Sequence, residues 1–265
     1  MAQIGICIWS IPGSSDREKI QLASTCGLDG VQLELGGYEE GFPLSKKERQ
    51  QEAIALRDDL GILYPTLGLN VFCGHSATNQ KDHDIIRRAI DCALETALAL
   101  DIKLLQCPSF FASEIKDEAG LENTAKIFQY ACRQAADTPV LVSSENILQP
   151  DALSELVKAV DAPNFRIYFD TANPYWMAGM PAIPLLDAAL PWLAEVHLKE
   201  SKDDGSAAFL GEGDSDFFAT FNHLMKANYA GWLVLENGYG KLMSERSSSA
   251  EEVIRADLKI VRDQF

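Results

Sequence analysis

The sequence predicts an α/β protein, a (β/α)8 TIM barrel formed as one domain over residues 1–265. Three observations predict it. Apolar runs rich in β-branched residues alternate with amphipathic segments, the pattern of a parallel sheet covered by helices. The alternation repeats as eight strand–helix units of about 30 residues each, which is the arithmetic of a closed barrel. The alternative, an open doubly wound sheet, usually carries a glycine-rich phosphate turn after its first strand. Here the first strand runs out through Ile8-Trp9-Ser10-Ile11-Pro12-Gly13, which has no such turn. No Pro/Gly/Ser-rich linker interrupts the rhythm, so no second domain is expected.

The elements follow in order. Residues 3–9 and 30–35 read as strands around a helix over 16–26, with Ser14, Ser15 or Asp16 available as its cap. Ser45 with Glu48 three residues on reads as a capping box for a helix over 46–60. A strand is expected over 62–67 and another over 102–107. Between them, Ile85, Ile86, Ala89, Ile90, Ala93, Leu94 and Ala97 recur at helical spacing over 84–100. The second half repeats the pattern. Helices are predicted over 121–136, 151–160, 183–190, 216–227 and 250–264, and strands over 139–144, 165–169, 193–198 and 231–235.

Composition narrows the functions. With 47% hydrophobic and 23% charged residues, the chain is that of an ordinary globular protein. No apolar run approaches the ~18 residues a membrane helix needs. Basic residues number 23 and acidic residues 39, giving −16, which disfavours nucleic acid and anionic lipid as partners. The six cysteines show no CxxC pair and no zinc spacing, and several sit inside apolar runs, where they read as small buried hydrophobes. The first residues lack a signal-peptide pattern, so the cytoplasm is the expected compartment.

Chemistry in such a barrel gathers at the C-terminal ends of the strands. The fifth strand ends in Glu145, the sixth in Asp170, the seventh in His197 and the eighth in Glu236. Adjacent strands lie ~4.8 Å apart, so these four side chains converge. Three carboxylates brought together repel one another, and a divalent cation relieves that repulsion. Carboxylate oxygens with one imidazole suit Mn, Mg, Co or Zn. We therefore expect Glu145, Asp170, His197 and Glu236 to hold one divalent metal ion.

The segments Ser144-Glu145-Asn146, Tyr168-Phe169-Asp170-Thr171, Val196-His197-Leu198-Lys199-Glu200 and Leu210-Gly211-Glu212-Gly213-Asp214 resemble those of the sugar phosphate isomerase/epimerase family, within the xylose isomerase-like barrel superfamily. The resemblance covers nearly the whole chain and is densest from Glu145 to Glu236. It implies that the four residues bind one divalent metal, that the substrate is a sugar or polyol, and that Glu145 and Glu236 form the acid/base pair on opposite faces of the inverted carbon. The chemistry agrees: an enediolate needs its growing negative charge stabilised, and inversion needs a proton carrier on each face. Two positions depart from the family pattern. Asn173 stands where many relatives carry His, and Lys199 and Lys202 are the only cations where many epimerases place an Arg.

Lys199, Asn173, His75, Glu34, Trp9 and Gln106 are the further substrate-binding candidates, all at or just beyond strand ends. His83 and His223 fall in predicted helices and read as packing or surface residues. The Pro-, Trp- and Met-rich segment 173–184 reads either as a wall over the substrate or as a subunit interface of a homo-oligomer. A lyase or dehydratase on the same metal site is the alternative activity, and a non-catalytic sugar-binding barrel a more distant one. An endonuclease IV-like phosphodiesterase is opposed by the charge and the scarcity of histidine. A phosphate site would call for a glycine-rich turn in the seventh and eighth loops or a local Lys/Arg pair. Gly211 and Gly213 are flanked by the acids Glu212 and Asp214, which favours an uncharged sugar or polyol.

Overall fold

The computed structural model describes residues 2–264. Eight parallel strands close into a barrel in sequence order, each pairing with the next and β8 with β1. The strands are β1 (Ile4–Cys7), β2 (Gly30–Glu34), β3 (Thr66–Gly68), β4 (Leu104–Pro108), β5 (Leu141–Glu145), β6 (Phe165–Asp170), β7 (Leu193–Leu198) and β8 (Leu233–Leu235). The α-helices outside them are α1 (Asp16–Cys26), α2 (Lys47–Leu60), α3 (Val71–Gly74), α4 (His83–Leu100), α5 (Glu118–Gln134), α6 (Pro150–Val160), α7 (Asn173–Ala178), α8 (Ala182–Ala189), α9 (Phe217–Lys226), α10 (Tyr239–Arg246) and α11 (Ala250–Arg262). The predicted fold class is therefore the observed one.

The core is the layer between strands and helices. On α4 the buried residues Ile86, Ala89, Ile90, Ala93 and Ala97 form a stripe three and four residues apart, which faces the sheet. Ser15 caps α1, accepting a hydrogen bond from the Glu18 amide.

Three expectations need correction. Ser45 does not cap α2. It closes a short 3-10 turn begun by Pro43, and the helix starts from Lys46 with no side-chain cap. The capping box lies instead at α11, where Ser249 and Glu252 satisfy each other's backbone amides. The third strand begins at Thr66 rather than Ile62. Pro65 has no N–H to give to a ladder, and only Leu63 before it bridges to β2. Helices α3, α7 and α10 interrupt loops at the C-terminal mouth and were not expected from periodicity. α3 and α7, of 4 and 6 residues, are too short to show two full turns of amphipathic pattern, and α10, of 8 residues, barely exceeds two.

Candidate active site

The mouth side of β5 to β8 brings the four strand-end residues together. Asp170 and His197 are register partners, and the Glu236 amide donates to the Leu198 carbonyl at 2.9 Å. One ligand-capable atom from each of Glu145, Asp170, His197 and Glu236 lies within 4.8 Å of the others. Glu145, Asp170 and His197 are buried, and Glu236 is nearly so.

Each of the four is aimed by its neighbours. Asp170 Oδ1 accepts the Ala172 and Asn173 amides at 2.7 Å each, so it starts α7, while Oδ2 is buried with no hydrogen-bond partner. His197 Nε2 lies 2.8 Å from Gln32 Oε1, an acceptor, so this nitrogen carries the proton. That leaves the lone pair on Nδ1. Nδ1 is also buried without a hydrogen-bond partner, and it faces Glu145 Oε1 at 3.5 Å, Glu236 Oε2 at 3.5 Å and Asp170 Oδ2 at 4.0 Å. Glu145 accepts from Gln106 at 2.5 Å and from Asn173 at 3.1 Å. Glu236 accepts from the Trp9 indole at 3.0 Å and from Lys199 at 2.9 Å. Thr171 fixes Lys199 by exchanging hydrogen bonds with its backbone at 2.8 and 2.9 Å.

The electrostatics follow from burial and crowding. Burial pushes the Asp170 carboxyl up to about 7; Lys199 opposes this, and the Glu236 and Glu145 charges add to it. Burial would raise Glu236 too, but the Lys199 ammonium beside it and the Trp9 indole hydrogen bond hold the group down at about 2. Burial pushes the Cys7 thiol up to about 12. Cys7 Sγ lies 3.3 Å from His197 Nε2, and it too lies within 4.8 Å of ligand-capable atoms of His197 and Glu236. The three carboxylates face the Nδ1 side of the imidazole.

The remaining candidates divide. Trp9, Gln106, Asn173 and Lys199 all touch Glu145 or Glu236 directly. Glu34 is half-buried and hydrogen-bonded to Asn70, and it lines a cleft of about 360 Å3 beside Trp9. The His75 ring packs edge-on to Tyr38, with centroids 5.5 Å apart, and is not brought against the four. His83 is buried against the Ala77 carbonyl, and His223 pairs with Asp187, as packing and surface residues.

Sequence reasoning passed over Gln32 and Glu200. Gln32 is fully buried inside β2, and its Oε1 also receives the Tyr168 hydroxyl at 3.1 Å. Its one signal was a polar residue between Val31 and Leu33 in an apolar strand. The buried Glu200 carboxylate gathers the Ser201, Gly211 and Ser215 amides, which folds the loop after β7. The Gly-Glu-Gly-Asp segment serves that same loop. Gly211 has φ +80°, and a Cβ on Gly213 would lie 2.3 Å from the Ser201 carbonyl oxygen. Its acids point elsewhere, Glu212 to Arg246 and Asp214 to the Asp203 amide.

The closed barrel with its chemistry gathered at one mouth defines an α/β barrel of the enzyme type. The profile of the xylose isomerase-like TIM barrel family matches residues 20–264, and the chain belongs to that family. Over 262 residues it is 29% identical to 2-epi-5-epi-valiolone 7-phosphate 2-epimerase of Actinoplanes sp., covering 98% of this chain and 93% of that one. Among solved structures it resembles D-allulose 3-epimerase of Methylomonas sp., with TM-score 0.78, 18% identity and coverage of 100% and 98%. It also resembles the 3-keto-D-glucoside 4-epimerase YcjR of E. coli, with TM-score 0.77, 17% identity and coverage of 99% and 100%.

Proposed function

We propose that the protein is a divalent-metal-dependent epimerase or isomerase of a sugar or polyol, working through an enediolate. The observation that carries this reading is the pair of buried, partnerless atoms, His197 Nδ1 and Asp170 Oδ2, aimed at the same space as the Glu145 and Glu236 carboxylates. A buried polar atom left unsatisfied is costly, and a cation bound by the four would satisfy both. This donor set fits Mn, Mg, Co or Zn. When bound, the cation would supply electrophilic stabilisation of the negative charge that grows on the substrate oxygens.

The chain's own residues do the rest. Glu145, held by Gln106 and Asn173, and Glu236, held by Trp9 and Lys199, are two oriented carboxylates that each face His197 Nδ1 at 3.5 Å. One takes the proton from the carbon beside the carbonyl, and the other returns a proton to the opposite face. Lys199 supplies a second positive charge beside that carbon. The three relatives described above are all epimerases by name, which supports the same class of reaction here. The cysteines of the described residues are all unpaired, which agrees with a cytoplasmic setting.

The test has two readings. Elemental analysis of protein purified without chelator should find about one divalent ion per chain, lost in Glu236→Gln. Incubation with ketose substrates in D2O should place deuterium at the inverted carbon. No binding of Mn, Co, Mg or Zn would overturn the metal site, and inversion without deuterium would overturn proton abstraction. A product short of one water would mark a dehydratase.

Gln32 extends this reading as a positioning residue. Its Oε1 keeps the proton on Nε2 and so keeps Nδ1 available as a ligand. Gln32→Leu should weaken divalent-ion affinity about 10- to 100-fold. Gln32→Glu, which keeps the acceptor, should restore most of it. Calorimetric titration with Mn measures both, and unchanged affinity in Gln32→Leu would remove Gln32 from this role.

A further inference from the structure

A chain of buried side chains runs beneath the four-residue centre and joins two of its members. His197 Nε2 donates to Gln32 Oε1 at 2.8 Å, and Gln32 Nε2 donates to Gln106 Oε1 at 3.4 Å. Gln106 Nε2 in turn donates to Glu145 Oε2. The chain therefore leads from the imidazole on β7, through β2 and β4, to the carboxylate on β5. His197, Gln32, Gln106 and Glu145 are each at most 3% exposed, and Tyr168, whose hydroxyl also donates to Gln32 Oε1, is as deeply buried. At such depth bulk water does not replace a broken link, and the donor or acceptor left behind stays unpaired.

The direction of every link is forced. A carboxylate only accepts, so Gln106 turns its NH2 to Glu145 and its oxygen to Gln32. Gln32 then turns its NH2 to Gln106, which leaves its oxygen for the imidazole N–H and the Tyr168 hydroxyl. Rotating the Gln106 amide by half a turn would set acceptor against acceptor at Glu145 and donor against donor at Gln32. Without the Gln106 oxygen, the Gln32 NH2 loses its acceptor. The amide then gains by turning its NH2 to the Tyr168 oxygen, which takes the Gln32 oxygen away from His197.

The fold makes room for this chain. On β3, Thr66 reaches across the bore to Glu195, and Gly68, two residues on, faces the same way. A Cβ at Gly68 would lie 3.2 Å from Gln106 Oε1 and 3.0 Å from the Trp9 ring. Trp9 is a partner of Glu236, so Gly68 borders the supports of both carboxylates.

We infer that Gln106 is a positioning residue that ties Glu145 to His197: it aims the carboxylate directly and, through Gln32, holds the imidazole that stands beside it. This inference rests on the metal-dependent reading above. It takes Gln106 out of the substrate-binding set, because both ends of its amide face protein groups. The two residues it joins are ones whose spacing matters, since Glu145 Oε1 lies 3.5 Å from His197 Nδ1 and both would hold the cation.

The first test is calorimetric titration with Mn. Gln106→Met keeps the length of the side chain and removes both amide groups, and it should weaken binding about 10- to 100-fold. In the double variant Gln32→Leu/Gln106→Met the loss should fall short of the product of the two single losses by roughly 10-fold, because the amides act through one chain. Single losses that simply multiply would overturn the inference. The second test is NMR of the His197 Nε2–H proton, recorded without divalent ion, a readout that a space-filling role for Gln106 would not move. In the wild type this proton should be deshielded and slow to exchange. In Gln106→Met it should move upfield and exchange faster, although Gln106 reaches the ring only through Gln32. Gly68→Ala, which keeps every member of the chain and crowds the Gln106 oxygen, should move it in the same direction. A resonance unmoved in both variants would overturn the inference even if Mn binding weakened, since Gln106 would then act on Glu145 alone. If the wild type binds no divalent ion, the metal reading fails, and the Nε2–H resonance alone decides the chain.

Discussion

Glu145→Gln and Glu236→Gln are each expected to lower epimerisation by about 100- to 10,000-fold, the usual contribution of one acid/base group. Glutamine keeps the shape but not the charge. At position 236 its oxygen can still accept the Trp9 indole, but its NH2 then faces the Lys199 ammonium, donor against donor. At 145 the neighbours Gln106 and Asn173 are both donors too, so one of those bonds is lost. The informative measurement separates exchange from inversion, at divalent-ion concentrations that saturate each variant. If one carboxylate serves each face, Glu145→Gln should still wash deuterium into one epimer without inverting it, and Glu236→Gln should do so into the other. The double variant should lose little more epimerisation than the worse single one, because the two act as a unit. A single variant with unchanged epimerisation would end the two-base account.

How much of this the sequence disclosed depended on whether the signal was local. The four converging residues were legible because each is an acidic or imidazole side chain at the C-terminal end of an apolar strand or just past it. A barrel needs no further information to bring such positions to one mouth. Gln32 was not legible in the same way. It sits in the middle of β2, 165 positions from His197, and its partnership exists only because closing the barrel brings β2 near β7 across the bore. The misplaced capping box at Ser45 is the reverse case. The local pattern was correct, but Pro43 and Leu44 form a tight turn that uses Ser45 before the helix begins. Local rules thus gave strands, helices and strand ends, while the residues that orient the site belong to tertiary structure.

Asp170→Asn is expected to melt no lower than the wild type, and by several degrees higher, when both are free of divalent ions at pH 8. Asparagine keeps the oxygen that accepts the Ala172 and Asn173 amides, so the start of α7 survives. What it removes is a buried charge beside two others. Burial, with Glu236 and Glu145, raises the folded-state Asp170 group from its ordinary 3.8 to about 7. A group raised on folding contributes its stability below its unfolded value and loses it as pH climbs through the folded value. In the ion-free wild type the loss is therefore complete by pH 8, and it amounts to roughly 4 kcal/mol. At pH near 4 the two proteins should be similar. Adding Mn should narrow the gap at pH 8. The wild type gains about 2.7 kcal/mol at an ion concentration 100 times its dissociation constant, and the variant, lacking one ligand, gains less. Each kcal/mol moves the melting temperature by roughly 2–4 °C in a protein of this size, so the narrowing is measurable by thermal melts with and without Mn. A role for Asp170 confined to capping α7 predicts no narrowing, because asparagine caps as well as aspartate does. Parallel shifts of the two proteins on adding Mn would show that the ion binds somewhere other than these four side chains.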